Sequence, residues 1–136
     1  MGQWLMKTEP TTYSFSQLLK DKRTNWNGVR NFQARNFLKS VSVGDEVLIY
    51  HSGDEKSVVG IARVAKGPYP DPDPKKPGEW VQIDLEPKRE FRVPVALSAL
   101  KAAKDLKGLM LLKQSRLSVM PVSAKEFAAI EKLGRA

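Results

Sequence analysis

The chain has 136 residues, 41% of them hydrophobic, enough to build the core of one globular domain. Its 23 Lys and Arg stand against 15 Asp and Glu, a formal net charge of +8 that favours a polyanionic partner such as nucleic acid or anionic lipid. The lack of cysteine excludes disulfides, thiol nucleophiles and thiolate metal sites, and no apolar run approaches the roughly 20 residues that span a bilayer. A soluble, cytoplasmic protein without a signal peptide or a membrane partner is expected.

Trp4-Leu5-Met6 reads as a first strand, ended by Glu9-Pro10. Ser14 and Gln17 have capping-box spacing and open a short helix through about Lys20. Polar residues from Asp21 to Asn25 lead to Trp26, set on an Asn27-Gly28 turn, and a second helix runs from about Arg30 to Ser40. Glu46–His51 is a strand, Gly53–Lys56 a hairpin connection and Val58–Val64 the return strand, with Gly60 marking a bulge or bend. Pro68, Pro70, Pro72, Pro74 and Pro77 predict an extended surface loop outside any ladder. Trp80–Leu85 alternates, and Phe91–Val95 reads as its partner strand. A weak helix from Leu97 to Lys107 stops at Gly108, and Leu117–Val119 is a last strand. Ser123 and Glu126 form a second capping box for a terminal helix that turns Phe127, Ile130 and Leu133 inward. The sum is one α+β domain of five or six short strands that could curl into a barrel.

Catalytic constellations are thin. His51 is the only histidine, so a two-histidine metal site is impossible, and neither a metal nor a cofactor is expected. His51 itself reads as a strand-end histidine bonded to backbone. Asp54-Glu55 and Asp71-Pro72-Asp73 read as solvated loop charges, whereas Glu9 stands apart at a strand end. Nucleic-acid binding fits better, because an aromatic ring can stack on a base while nearby cations hold phosphates. Trp26 with Arg30, Arg35 and Lys39 supplies one such set, and Lys113, Arg116 and Lys88-Arg89 supply further cations. Trp4 is read as a core ring. Trp80 is equally compatible with packing and with exposure. For Trp26, the cover for so large a ring on a turn is either the core or a flat ligand.

Several blocks, in order along nearly the whole chain, resemble the EVE domain. They are Trp4–Pro10, Trp26–Asn31, Gln33–Leu38, Tyr50–Ser52, Val59–Ala62, Tyr69–Pro72 and Arg116–Val122. The resemblance implies a PUA-like fold, a small β-barrel of mostly antiparallel strands wrapped by helices. It further implies a pocket for a single base, of the 5-methylcytosine type or otherwise modified, in DNA or RNA. Ser115 departs from the family pattern, in which Gly is usual, and would resist a positive φ. The Pro-rich loop is short and basic, at Lys75-Lys76.

Carried over residue by residue, the resemblance makes Trp26 the stacking ring and Asn31 a reader of the base edge. Arg30 either contacts phosphate or ties the turn to Glu9. Ser52 either bonds a base edge or shapes a turn. Lys7, Arg35, Arg116 and Lys39 are phosphate candidates. Two other classes stay open: an enzyme acting on RNA or a nucleotide through Glu9 or His51, and a protein-interaction module using the Pro-rich loop.

Overall fold

The computed structural model describes residues 2–72, 75 and 79–135. The first apolar run forms β1 (Gln3–Thr8), and Ser14 caps α1 (Phe15–Asp21), its Oγ accepting from Gln17 N–H at 3.1 Å. There follow β2 (Thr24–Trp26), α2 (Phe32–Lys39), β3 (Glu46–His51), β4 (Ser57–Pro70) and β5 (Val81–Ala96). The remainder is α3 (Leu97–Ala102), a single 3-10 turn (Lys104–Leu106), α4 (Met110–Lys113), β6 (Val119–Pro121) and α5 (Ala124–Arg135). The capping box at Ser123 and Glu126 forms reciprocally, at 3.0 and 2.8 Å, and Phe127 and Ile130 are buried beneath α5.

The strands make one sheet in the order β2-β5-β4-β3-β1-β6, antiparallel throughout except for the parallel β1–β3 pair. Laid flat, β5 and β6 would lie about 19 Å apart, at about 4.8 Å per strand. Yet α2, a helix of only about 10 Å diameter, packs against both. The sheet is therefore curled, and α2 closes its open side. Helix α5 covers β5 and β4, and α1 leans on β5. Residues 57–62 of β4 are buried in succession, as a strand covered on both faces must be. Gly60 marks the curl: the register shifts beside it in both its ladders, and a Cβ there would lie 2.7 Å from Phe15 Cζ.

Five local expectations are corrected. Thr24–Trp26 is a strand and not a loop, paired with Ile83, Asp84 and Leu85 of β5; three residues are too few to display an alternation. Pro68 and Pro70 belong to β4, because the register shift between Lys66 and Tyr69 lifts Pro68 out of the ladder. Pro74 and Pro77 lie outside the described residues. Trp80–Leu85 and Phe91–Val95 are not partners: Val81–Leu85 and Phe91–Val95 are two parts of β5, both laid along β4, with Pro87 tolerated at another shift, opposite Ala62. The helix expected through Lys107 breaks after Ala102, and the final strand starts at Val119, two residues late. Positive φ outside glycine occurs at Lys22 and Lys56 among the described residues, so Ser115 keeps an ordinary backbone conformation.

Trp4 is a core ring, as read, and Asp45 is the reason its indole N–H can be buried. The carboxylate, only 2% exposed, accepts from Trp4 Nε1, Gly2 N and Ser42 N, each at 2.9 Å. This ties the start of β1 to the turn before β3. Asp45→Asn is expected to lower unfolding stability by about 2 kcal/mol, because a charge-assisted acceptor is replaced by a group that brings its own donor. Urea denaturation with an unchanged m-value checks it; a midpoint within error of wild type would remove Asp45 from this role.

Candidate nucleic-acid interface

Where β2 ends and the chain turns into α2, a cavity of about 440 Å³ opens at the margin of the sheet. Trp26 and Tyr13 form its aromatic corner, with ring centroids 6.2 Å apart and planes at 89°. A planar ligand lying flat on one ring presents its edge to the other. Trp26 is only 8% exposed, so the core and the cavity share the ring. Thr24, Asn25 and Ser118 supply neutral polar groups to the wall, and Lys7 is a cation in it. Lys7 Nζ donates to the Ser115 carbonyl at 2.5 Å and lies 5.8 Å from the Tyr50 ring centre; burial pushes the ammonium below its usual pKa. Burial likewise raises the Tyr13 phenol, which donates to Asp21 at 2.8 Å.

The turn that shapes this corner is held from outside. Gly28 takes the predicted left-handed conformation, φ +79°, and its N–H donates to Asp71 Oδ2 at 3.0 Å. Arg30 Nη1 reaches the same oxygen at 3.0 Å, so the carboxylate partner of Arg30 is Asp71 and not Glu9. Asp71 is 8% exposed, which corrects its reading as a solvated loop charge: Gly28 and Arg30 donate to its carboxylate from the turn. Asn31 is the N-cap of α2, its Oδ1 accepting from Ala34 N–H at 2.9 Å. The cap commits the acceptor half of this amide and leaves its NH₂ for a ligand.

Of the residues singled out in the sequence, Lys7, Trp26, Arg30 and Asn31 meet at the cavity. Arg116 lines a second hollow of about 300 Å³ with Gln33, Lys113 and Asn31, so Asn31 joins the two. Glu9 is exposed beside Gly53, and Ser52 serves the backbone, its N–H donating to the Thr8 carbonyl at 2.9 Å; neither lines the cavity. His51 is also occupied elsewhere: Nε2 accepts from Phe15 N–H at 3.0 Å, which puts the ring proton on Nδ1, 3.1 Å from Glu55. Lys39 pairs with Glu79 at 3.4 Å beside a third hollow. Lys88 and Arg89 are paired with Glu46 and Glu131. Among the described residues no group of three or more potential ligands is placed to hold a metal, and no helix is long and apolar enough to cross a membrane.

Sequence reasoning missed Tyr13, which sits in an aperiodic stretch between Pro10 and the α1 cap, and it gave Phe32 no role. Phe32 stacks on Trp80, centroids 5.2 Å apart at 27°, and Arg35 lies 5.0 Å from Phe32 and 5.8 Å from Trp80. Packing thus wins for Trp80, which is 3% exposed. Arg35 belongs to this stack rather than to the cavity wall.

Below Asn25, the β2 margin is braced by Asp84. Its carboxylate accepts from Tyr69 OH at 2.5 Å and from Arg23 at 3.0 and 3.2 Å. Burial opposes the charge on Asp84, but the bonds from Tyr69 and Arg23 outweigh it and hold the carboxyl below its ordinary pKa. The same bond, reinforced by burial and the carboxylate's charge, pushes the Tyr69 phenol up to about 12.

A curled sheet with an aromatic-walled cavity at its margin, closed by a single helix, is the architecture of a PUA-like domain. Residues 2–133 match the EVE domain model, and the chain belongs to that family. It is 32% identical over 157 residues to chicken (Gallus gallus) thymocyte nuclear protein 1, covering 91% of this chain and 65% of that protein, so it spans somewhat less than two thirds of the relative's length. A crystal structure of the human THYN1 protein in complex with DNA containing 5-methylcytosine superposes with a TM-score of 0.90 at 29% identity, covering 100% of this chain and 99% of that one. A Pseudomonas syringae protein does so with a TM-score of 0.90 at 39% identity, covering 97% and 99%.

The Tyr69–Asp84 pair yields a titration test. In Asp84→Asn one tyrosine should move from about 12 back toward the ordinary value near 10, read by ultraviolet absorbance against pH. Because the folded pKa of Asp84 is depressed, its stabilisation is present above the ordinary carboxylate pKa and is lost as pH falls through the folded value. The stability gap between wild type and Asp84→Asn should therefore narrow below about pH 4. A gap that widens on acidification contradicts the assignment.

Proposed function

We propose that this chain binds nucleic acid by holding one nucleobase, a modified one of the 5-methylcytosine type, in the cavity walled by Trp26 and Tyr13. The carrying observation is the right-angled aromatic corner in a cavity of about 440 Å³, a size within the roughly 300–1,000 Å³ range of small-ligand sites. The relation to the human protein crystallised with 5-methylcytosine DNA supports the same reading. The base lies on Trp26 with its edge toward Asn31 and Lys7. Both can donate hydrogen bonds, which suits the acceptor-bearing edge of a cytosine. Lys7 also offsets phosphate charge.

Magnitudes limit what the cavity achieves. Taking a base out of a stack costs a few kcal/mol, and stacking on an aromatic ring returns about 1–3 kcal/mol. One methyl buried against apolar wall adds about 0.8 kcal/mol, roughly fourfold in affinity. Preference for a methylated strand is therefore modest unless the methyl also relieves an unfavourable contact. Glu9 and His51, the pair on which the hydrolase alternative relied, lie away from this cavity, so binding is the reading the geometry favours.

Matched short single strands, plain and with one 5-methylcytosine, should quench tryptophan fluorescence, the modified strand at lower protein concentration at both low and high salt. Trp26→Phe keeps the core filled and should lose severalfold in affinity. Trp26→Ala should abolish the preference, read at a temperature where circular dichroism shows it folded, since truncating a buried Trp costs about 3–5 kcal/mol. Lys7→Met should weaken both strands alike and reduce the logarithmic salt slope by about 0.7. Equal, steeply salt-dependent binding of both strands by wild type would reduce the site to a basic surface.

A further inference from the structure

We infer that Phe32 is a stacking platform for the nucleobase next to the one held in the cavity, so that the site engages two consecutive nucleotides. This rests on the reading of the cavity as a base site. Phe32 is the first residue of α2 and follows Asn31, which lines both the cavity and the basic hollow of Lys113 and Arg116. Phe32 itself lines neither hollow, but its Cα is about 3.8 Å from that of Asn31, within one nucleotide's reach of the residue that joins them.

The ring is built for an outside partner. Phe32 is 60% exposed, although it is a large apolar side chain on a domain that buries its other phenylalanines wholly or in part. Its position is nevertheless fixed by the stack on the buried Trp80 ring. Trp80 and the Arg35 guanidinium lie 5.2 and 5.0 Å from the Phe32 centre and 5.8 Å from each other. Groups on opposite faces of a ring would stand nearly twice that far apart, so both are on one side and the outer face of Phe32 is open. A rigid, open π-face beside a guanidinium suits a base with its attached phosphate, because every base has a π-face and the phosphate requires a cation. A partner protein of apolar character is less suited, given the flanking Gln33, Arg35 and Arg116 and the net charge of +8.

The test pairs a protein change with a ligand change. Wild type and Phe32→Ala are titrated by fluorescence anisotropy with a short single strand carrying one 5-methylcytosine. The strand is used with all its bases, and with an abasic residue at the 5′ or the 3′ neighbour. Stacking predicts that Phe32→Ala weakens binding of the intact strand roughly five- to hundredfold. The abasic residue at one neighbour, and not the other, should weaken wild type similarly, and combining it with Phe32→Ala should cost little more, the signature of one shared contact. Phe32→Leu, which still covers Trp80 but has no π-face, should behave as Phe32→Ala, and Phe32→Trp should restore binding. Independent, additive losses at both neighbours, an unchanged affinity in Phe32→Ala, or full activity in Phe32→Leu would each overturn the inference while leaving the cavity reading intact. Failure of wild type to bind the intact modified strand would overturn the cavity reading and this inference together.

Discussion

The carboxylate of Asp71 is the constraint on which the candidate site depends. One oxygen receives the Gly28 N–H and the Arg30 guanidinium, and the Asp71 N–H donates to the Trp80 carbonyl at 2.9 Å. A single buried charge thus joins the turn after β2 to the connection between β4 and β5. With that turn fixed, Trp26 faces the cavity, Asn31 stands where it can cap α2, and Arg30 lies 5.4 Å from the Trp80 ring centre. The guanidinium neutralises the carboxylate, which removes most of the cost of burying it. The wall from Gly28 to Asn31 takes its shape at this junction, while Trp26 is held by its pairing with Ile83.

Local signals in the chain were legible wherever the physics is local. The Ser14 cap, the reciprocal capping box of Ser123 and Glu126, the Asn27-Gly28 turn and the β3–β4 hairpin form where side-chain chemistry and glycine conformation place them, although Gln17 turns to Asp21 instead of completing the first box. What was not legible depends on partners distant in sequence. Strand β2 exists because β5 offers it Ile83–Leu85, some 60 residues on, and three residues carry no period of their own. The unity of β5 was hidden because Trp80–Leu85 and Phe91–Val95 read as two partner strands, whereas Pro87 sits at a register shift that lets one strand run through it. The curl of the sheet was foreshadowed by Gly60, but the register shifts between Val64 and Lys66 and between Lys66 and Tyr69 have no mark in the sequence.

The site divides along the same line. Trp26 and Arg30 were legible as an aromatic and a cation on one turn, whereas Asn31 and Lys7 were reached only through the family resemblance. Their partners were not: Glu9 was one of two partners weighed for Arg30, but the chain brings Asp71 there instead. Asn31 proved to be doubly used, a cap and a wall, which explains why an amide rather than a lysine suits that position. Tyr13 was overlooked because a loop aromatic has no periodicity to announce it, and its place against Trp26 is fixed by α1 docking on β5.

The position of β6 has a consequence for synthesis. Strand β1 pairs on one side with β3 and on the other with β6, which places Leu5 opposite Met120, 115 residues further along the chain. Lys7 N–H is bonded to the Ser118 carbonyl, and both residues line the cavity. During translation, at roughly 5–20 residues per second, the Trp26 side of the site waits for Ile83–Leu85 of β5, and Ser118 follows these only a few seconds later. Until then β1 carries an unpaired edge, on which Lys7 is a charge set against mispairing with other chains. The wall supplied by Ser118 is thus the last side of the cavity to be made, after those of Lys7–Tyr13 and Thr24–Asn31.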